Sequence, residues 1–239
     1  MKLIDLRPKR VGADLRGVCQ LSSNVNQYPT VLEDGNTVAW YDYTATDTIT
    51  KDGSNFVSRW NDRLGSGHDL IQETGTNQPL LTSTGVLFDG VDNYMQVLPF
   101  SLEQPEFVYI VLNQKTWTDI DYIFDGNAAD SGAMIQRGFS PNFRFYAGAI
   151  LDVQGITLGN YGIVRALYNG AQSKIIVNEN SPVIGNLGTA SMNGYRLGVG
   201  GNGSRFGNFE VSEIVIRNVV DTEQDEALIY NYLKKKNSL

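Results

Sequence analysis

Apolar and aromatic positions recur along this chain in short alternating runs, the period of two expected of strands with one buried face. The runs fall at residues 38–43, 86–88, 94–98, 107–112, 122–124, 143–146, 163–168, 174–177, 195–199 and 209–216. Short strands at such spacing predict an all-β chain folded as a two-sheet antiparallel sandwich. The turns have suitable chemistry, because Asp-Gly and Asn-Gly pairs tolerate the positive φ that a tight reversal demands. Asn169-Gly170 separates IVRALY from SKIIV, which should pair as a hairpin with Ile175 and Val177 on one face and Lys174 on the other.

The period changes after Val220. In DTEQDEALIYNYLKKK, Asp221 can serve as N-cap with Gln224 three residues on, acids fill the first turn and lysines the last. All of this favours a helix. One short helix is therefore expected over 222–236, with Ala227, Leu228, Tyr232 and Leu233 as its packing stripe.

Two segments carry a family resemblance. SRWNDRLGSGHDLIQETGTNQPLLTSTGVLFDGVDNYMQV combines Trp60 and Asp62, a Gly/Ser turn, His68-Asp69-Leu70, Gln78-Pro79 and two short runs around Asp89-Gly90. EVSEIVIRNVVDTEQDEALIYNYL joins a strand to the terminal helix. In this order they resemble the concanavalin A-like lectin/glucanase fold and its laminin-G-like domains, of the kind found in phage and bacterial surface proteins. The resemblance spans about 38–236 and implies a jelly-roll sandwich with a short C-terminal helix, used mostly for binding.

Residues 1–35 lie outside it. They carry Pro8, Pro29 and a polar SSNVNQ stretch, and read as an extended arm or lead-in before a domain at 36–239. The net charge of −7 argues against gripping nucleic acid, which needs clustered Lys and Arg. The basic groups that do cluster, Lys2, Arg7, Lys9, Arg10 and Arg16 at one end and Lys234, Lys235 and Lys236 at the other, read as solvated tails or a docking arm. Cys19 is the single cysteine, so an internal disulfide is excluded. Asp5 and Arg7 interrupt any secretory apolar run, and no stretch is long enough to span a membrane as a helix. A protein made in the cytoplasm and carried on a virion or cell surface is expected.

Catalytic chemistry finds little support in the pattern. The laminarinase-like hydrolases that share the resembled sandwich use Glu-x-Asp-x-x-Glu on one strand for a retaining carboxylate pair. Here only Glu210 and Glu213 come near, the middle Asp is missing, and on a regular strand their spacing puts them on opposite faces. His68 is the only histidine and has no nucleophile elbow or cysteine near it, and zinc ligands are not clustered. Calcium is the one candidate ion: Asp125, Asn127 and Asp130 offer hard oxygens on one loop, without EF-hand spacing.

Sugar recognition pairs exposed rings with Asn, Asp and Arg on a rigid frame. Trp117, Tyr122, Arg137, Arg144 and Tyr146 supply these types, and Arg205 and Phe206 add them in the GGNGSRFGNF loop. Alternation sends Phe143 and Phe145 inward and leaves Arg144 and Tyr146 for solvent or ligand. Taken together, the expectation is a lectin-like carbohydrate-binding module, not an enzyme. Its expected setting is a phage tail fibre or capsid decoration that recognises glycan and docks or oligomerises through the arm. The rival is a purely structural virion protein, with a glycoside hydrolase third.

Overall fold

The computed structural model describes residues 28–127, 132–138 and 141–239. Most of the expected arm and Asp130 therefore lie outside the described residues. The chain is an all-β sandwich closed by one helix. An eight-stranded sheet runs in the order Val183–Gly185, Ser173–Val177, Tyr161–Tyr168, Glu106–Gln114, Asn208–Arg217, Val86–Asp89, Leu80–Leu81. Thr37–Asp42 pairs with the second half of Asn208–Arg217. A nine-stranded sheet runs Ile150–Gln154, Asn142–Tyr146, Ala133–Arg137, Tyr122–Gly126, Tyr195–Leu197, Met95–Gln96, Leu70–Ile71, Val57–Trp60, Ile49–Lys51. Every pairing within these two sheets is antiparallel.

The two sheets bury one core between them, and alternation along each strand explains its membership. Val108, Ile110 and Leu112 alternate inward from the Glu106–Gln114 strand, and Phe143 and Phe145 from Asn142–Tyr146. Trp60, Phe88, Tyr195 and Phe209 complete the large side chains of this layer. The opposite face of the eight-stranded sheet carries Trp40, Phe107, Tyr109, Val111 and Val215, and these form a second core with Ile229 and Leu233 of the helix. Tyr28 and Leu32 join it from the segment before the first strand, the ring of Tyr28 standing edge-on to Trp40 at 4.7 Å. The helix is held by packing more than by propensity, since burying Ile229 and Leu233 stabilises by about 1.5–3 kcal/mol each.

The helix occupies Glu223–Lys236, and its cap differs from the sequence expectation. Thr222, not Asp221, is the N-cap, its hydroxyl accepting from the Asp225 amide at 3.1 Å. Asp221 is committed elsewhere: its carboxylate accepts from Arg217 Nε at 2.9 Å and from the Tyr109 hydroxyl at 2.7 Å. The packing stripe differs too. Ile229 and Leu233 are buried with Glu226, whereas Ala227 and Leu228 face outward, because Glu226 is turned in by Arg165 and Lys174.

The WND and HDL elements of the 58–97 segment have structural work. Asp62 accepts from the Trp40 amide at 2.7 Å and from the Ser66 amide at 2.8 Å, fixing the Gly/Ser turn beneath the first strand. His68 stacks on Phe100 at 3.9 Å with Nδ1 3.0 Å from the Val38 carbonyl, so the lone histidine is a packing residue. The Asn169-Gly170 hairpin forms with Ala166 opposite Ile175, but through a short 3-10 turn, with φ of +53° at Gly170.

Candidate functional site

The outer face of the nine-stranded sheet is open toward its Ile150–Gln154 edge, and there the polar side chains converge. Asn142–Tyr146 alternates so that Phe143 and Phe145 are buried while Asn142, Arg144 and Tyr146 face outward, as the sequence implied. The neighbouring edge strand alternates likewise, turning Val153 inward and Asp152 outward. Cross-strand register sets Asp152 opposite Arg144, Arg144 opposite Ile135, and Ile135 opposite Tyr122. Tyr122 thus lies in the same row, two strands and about 10 Å from Arg144. Asn142 stands opposite both Arg137 and Gln154 in the next row.

Around these rows lies a cavity of about 420 Å³ lined by Asp119, Arg137, Gly138, Asn142, Arg144 and Asp152. Arg144 donates through Nε and Nη2 to the two carboxylate oxygens of Asp152, both at 2.7 Å. Arg137 Nη1 reaches the oxygens of Asp119 at 3.2 and 3.0 Å, and the Gly138 amide donates to Asp119 at 2.8 Å. Hydrogen bonding to Arg144 holds the Asp152 carboxyl below its ordinary pKa and raises that of the guanidinium. Trp117 Nε1 donates to the Gly138 carbonyl at 3.2 Å, which brings the partly exposed indole to the cavity rim. The loop bearing Trp117 and Asp119 is itself pinned by Gln136, which accepts from the Thr118 amide at 2.9 Å.

Arg137 and Arg144 line the cavity, and Trp117 borders it. Tyr146 lies one row along the same face, opposite Ala133 and Ile150. Arg205 and Phe206 sit beyond Tyr122, the Tyr122 amide donating to the Arg205 carbonyl at 3.2 Å and Phe206 forming a parallel bridge with Tyr122. Sequence reasoning did not pick out Asp119, Gly138 and Asp152. The alternation of Leu151 and Val153 around Asp152 was the signal available for the last.

Of the expected calcium ligands, Asp130 lies outside the described residues, and Asp125 and Asn127 are engaged by protein groups. Asp125 is buried and accepts from the Gly126 amide at 2.9 Å and the Gly201 amide at 2.6 Å. Asn127 donates to the Val97 carbonyl at 2.9 Å and accepts from Arg196 at 3.1 Å. No cluster of three or more His, Cys, Asp or Glu suited to a metal occurs among the described residues. No helix among them is long and apolar enough to cross a membrane.

The Glu210 and Glu213 pair departs from the regular strand assumed for it. The register shifts between Val211 and Glu213, a β-bulge that places Val211 and Ile214 both in the inner core. Both glutamates consequently leave the inner face. They are nonetheless closed in. Glu210 accepts from Thr84 Oγ1 at 2.9 Å and pairs with Lys115 at 2.7 Å, while Glu213 accepts from Trp40 Nε1 at 2.8 Å and from the Tyr232 hydroxyl at 3.0 Å.

No protein-family model matches the chain. No curated protein matches it either. Solved structures do share the fold. A GH54 α-L-arabinofuranosidase soaked with a cyclic sulfate inhibitor is similar at 14% identity and a TM-score of 0.64, over 85% of this chain and 64% of that one. Domain 4 of AbnA, a GH43 extracellular arabinanase from Geobacillus stearothermophilus, in complex with arabinotriose, is similar at 13% identity and a TM-score of 0.57, over 81% and 97%. Trypanosoma rangeli sialidase in complex with sialic acid is similar at 13% identity and a TM-score of 0.58 over 84% of this chain, which spans 33% of the sialidase. These likenesses are of fold, and the fold is one found in carbohydrate-active proteins. They correct the expectation that the chain is not an enzyme, because the architecture is shared with chains named as glycoside hydrolases. The bulge removes a further argument behind that expectation, the supposed opposite facing of Glu210 and Glu213.

Proposed function

We propose that the chain binds carbohydrate on the outer face of its nine-stranded sheet, centred on the cavity between Arg137 and Arg144. One observation carries this reading: two Arg–Asp pairs and Asn142 converge on a concave patch of about 420 Å³, with the indole of Trp117 at its rim. Ring stacking plus oriented donors and acceptors is what a sugar requires. The arabinanase domain, matched over 97% of its length, was solved with arabinotriose, a saccharide ligand on a protein of the same fold. Tyr122, Tyr146, Arg205 and Phe206 extend the surface along the sheet. The test is a glycan array probed with the full chain and with the Arg144→Ala/Tyr146→Ala double variant. Loss of retention by the variant is the expected result, and equal retention by both overturns the site.

A second reading, cleavage of the bound saccharide, has its own motivation. Two carboxyl groups, Asp119 and Asp152, line the cavity, and a pair of carboxyl groups is what glycoside hydrolysis requires. Chromatography of each retained glycan after incubation with the protein reads this directly, since new reducing ends demand cleavage. The setting attached to either reading is a phage virion with residues 1–27 as docking arm, since Tyr28 and Leu32 of the expected 1–35 arm pack into the second core. It rests on the Asn/Gly-rich turns, and light scattering of the full chain against one starting at Tyr28, which keeps the core residues Tyr28 and Leu32, tests it. An oligomer that becomes a monomer supports the arm's role, and equal masses reject it.

A further inference from the structure

The cavity also states which class of saccharide it suits. Its charges balance, with Arg137 and Arg144 answered by Asp119 and Asp152. The two aspartate side chains are 48% and 49% exposed, so each carboxylate is open to an incoming group, while each guanidinium already has its charge answered by a carboxylate. We propose that the ligand is a neutral saccharide, held through adjacent ring hydroxyls, and not one bearing a carboxylate or sulfate; this rests on the carbohydrate reading above.

The chemistry follows from the geometry of each ion pair. Arg144 holds Asp152 side by side through two 2.7 Å bonds, so an N–H edge and a carboxylate edge lie next to one another on the same surface. Two neighbouring hydroxyls of a sugar ring match such an edge, one donating to the carboxylate and the other accepting from the guanidinium. An anionic sugar bonded to the remaining N–H groups of Arg144 would set its charge beside the Asp152 carboxylate, against a guanidinium whose charge is already answered, which is unfavourable. The cavity volume sits within the lower part of the small-molecule range of about 300–1,000 Å³, which suits a mono- or disaccharide portion of a chain. Gly138 and Trp117 at the rim leave an apolar flank for the ring's C–H face.

Matched trisaccharides titrated calorimetrically into the full chain test this. Arabinotriose and laminaritriose stand for the neutral class, trigalacturonate and sialyllactose for the acidic class. The expected result is binding of at least one neutral ligand at least about tenfold tighter than either acidic one. The Asp119→Asn/Asp152→Asn variant, altered only at half-exposed side chains, should lose that preference by weakening the neutral ligand and admitting the acidic ones. Tighter binding of an acidic ligand by the native chain overturns the neutral assignment while leaving the carbohydrate reading standing. An undiminished preference in the double variant overturns the role given to the carboxylates. Silence from every saccharide, on the array as in the titration, overturns the carbohydrate reading and this inference with it.

Discussion

Arg144 and Asp152 face one another across neighbouring antiparallel strands and are joined by two parallel hydrogen bonds, each 2.7 Å long. Register alone creates this pair, since a one-residue slip of the edge strand would turn Asp152 into the core and bring Val153 out. Asp152 is largely solvated, so the pair matters more for shape than for stability. Replacing Arg144 by Ala should cost at most about 1 kcal/mol of folding free energy while removing glycan retention. Chemical denaturation and array binding on the same sample check both halves, and a large loss of stability would show that the pair is structural. The pH dependence follows in sign. A carboxyl held below its ordinary value contributes above its unfolded pKa and loses that contribution as pH falls through the folded one. Retention should therefore fade only in acid, below the ordinary carboxylate range.

Arg217 is a contrasting case, a guanidinium with only 1% side-chain exposure. It donates to Asp221, Asp34, the Val31 carbonyl at 2.7 Å and Thr37 Oγ1 at 2.8 Å. It thereby ties the segment before the first strand to the residues that open the helix. Arg217→Met leaves the carboxylate of Asp221 buried without its cation and should cost about 3–5 kcal/mol. Asp34→Asn, at a partly exposed partner, should cost far less. Denaturant midpoints of the two variants would show this ordering, and equal midpoints would refute it.

Glu106 sets an alkaline limit on stability. Its side chain is fully buried, with Oε1 accepting from the Met192 amide at 3.3 Å and Oε2 without a hydrogen-bond partner among the described residues. Burial pushes its pKa up to about 8 from an ordinary value of 4.5, with nearby Glu103 adding to the rise. A raised pKa favours the protonated folded state, so the contribution is fully present below the unfolded pKa of 4.5 and is lost as pH rises through about 8. Glu106→Gln, a neutral near-isostere, should flatten that decline and make the protein more stable than the native chain above pH 8. Melting temperatures across pH 5 to about 9 measure it.

The fold was legible because its long strands obey their period. Residues 107–112, 143–146, 163–168 and 209–216 alternate or run apolar for long enough to announce themselves, and each lies inside an observed strand. The strands that escaped notice are two to five residues long, such as Leu70–Ile71, Met192–Asn193 and Ala133–Arg137. Such segments are defined by the neighbours that they bond, which no local pattern records. The same limit hid half of the candidate site. Arg137 and Arg144 could be picked by residue type, but Asp119 and Asp152 become their partners only through cross-strand register and the folding back of the Trp117 loop. The Glu210–Glu213 facing was misjudged for a related reason, because a bulge adds a residue that alternation cannot foresee.

Gly155 links the edge strand to the cavity floor. Its amide donates to the Pro141 carbonyl at 2.8 Å, and a Cβ placed on it would lie 2.4 Å from that oxygen. Pro141 immediately precedes Asn142, so the contact fixes where the Asn142–Tyr146 strand begins. Gly155→Ala cannot be absorbed by a rotamer change, since the clash is with backbone, and it must push the start of that strand outward. The displacement should cost about 1–3 kcal/mol, in the range of overpacking. It should also shift Asn142 relative to Arg137 and weaken glycan retention, although residue 155 does not line the cavity. Gly138→Ala is the comparison: it adds the same methyl at the cavity wall, where no atom of the described residues beyond its chain neighbours lies within 4 Å, though at a φ of +88°. Its cost is one of backbone strain alone, about 1–2 kcal/mol. If the two variants lose stability alike but only Gly155→Ala loses ligand, the strand start positions the site; if both retain ligand, the cavity floor tolerates movement and the positioning argument fails.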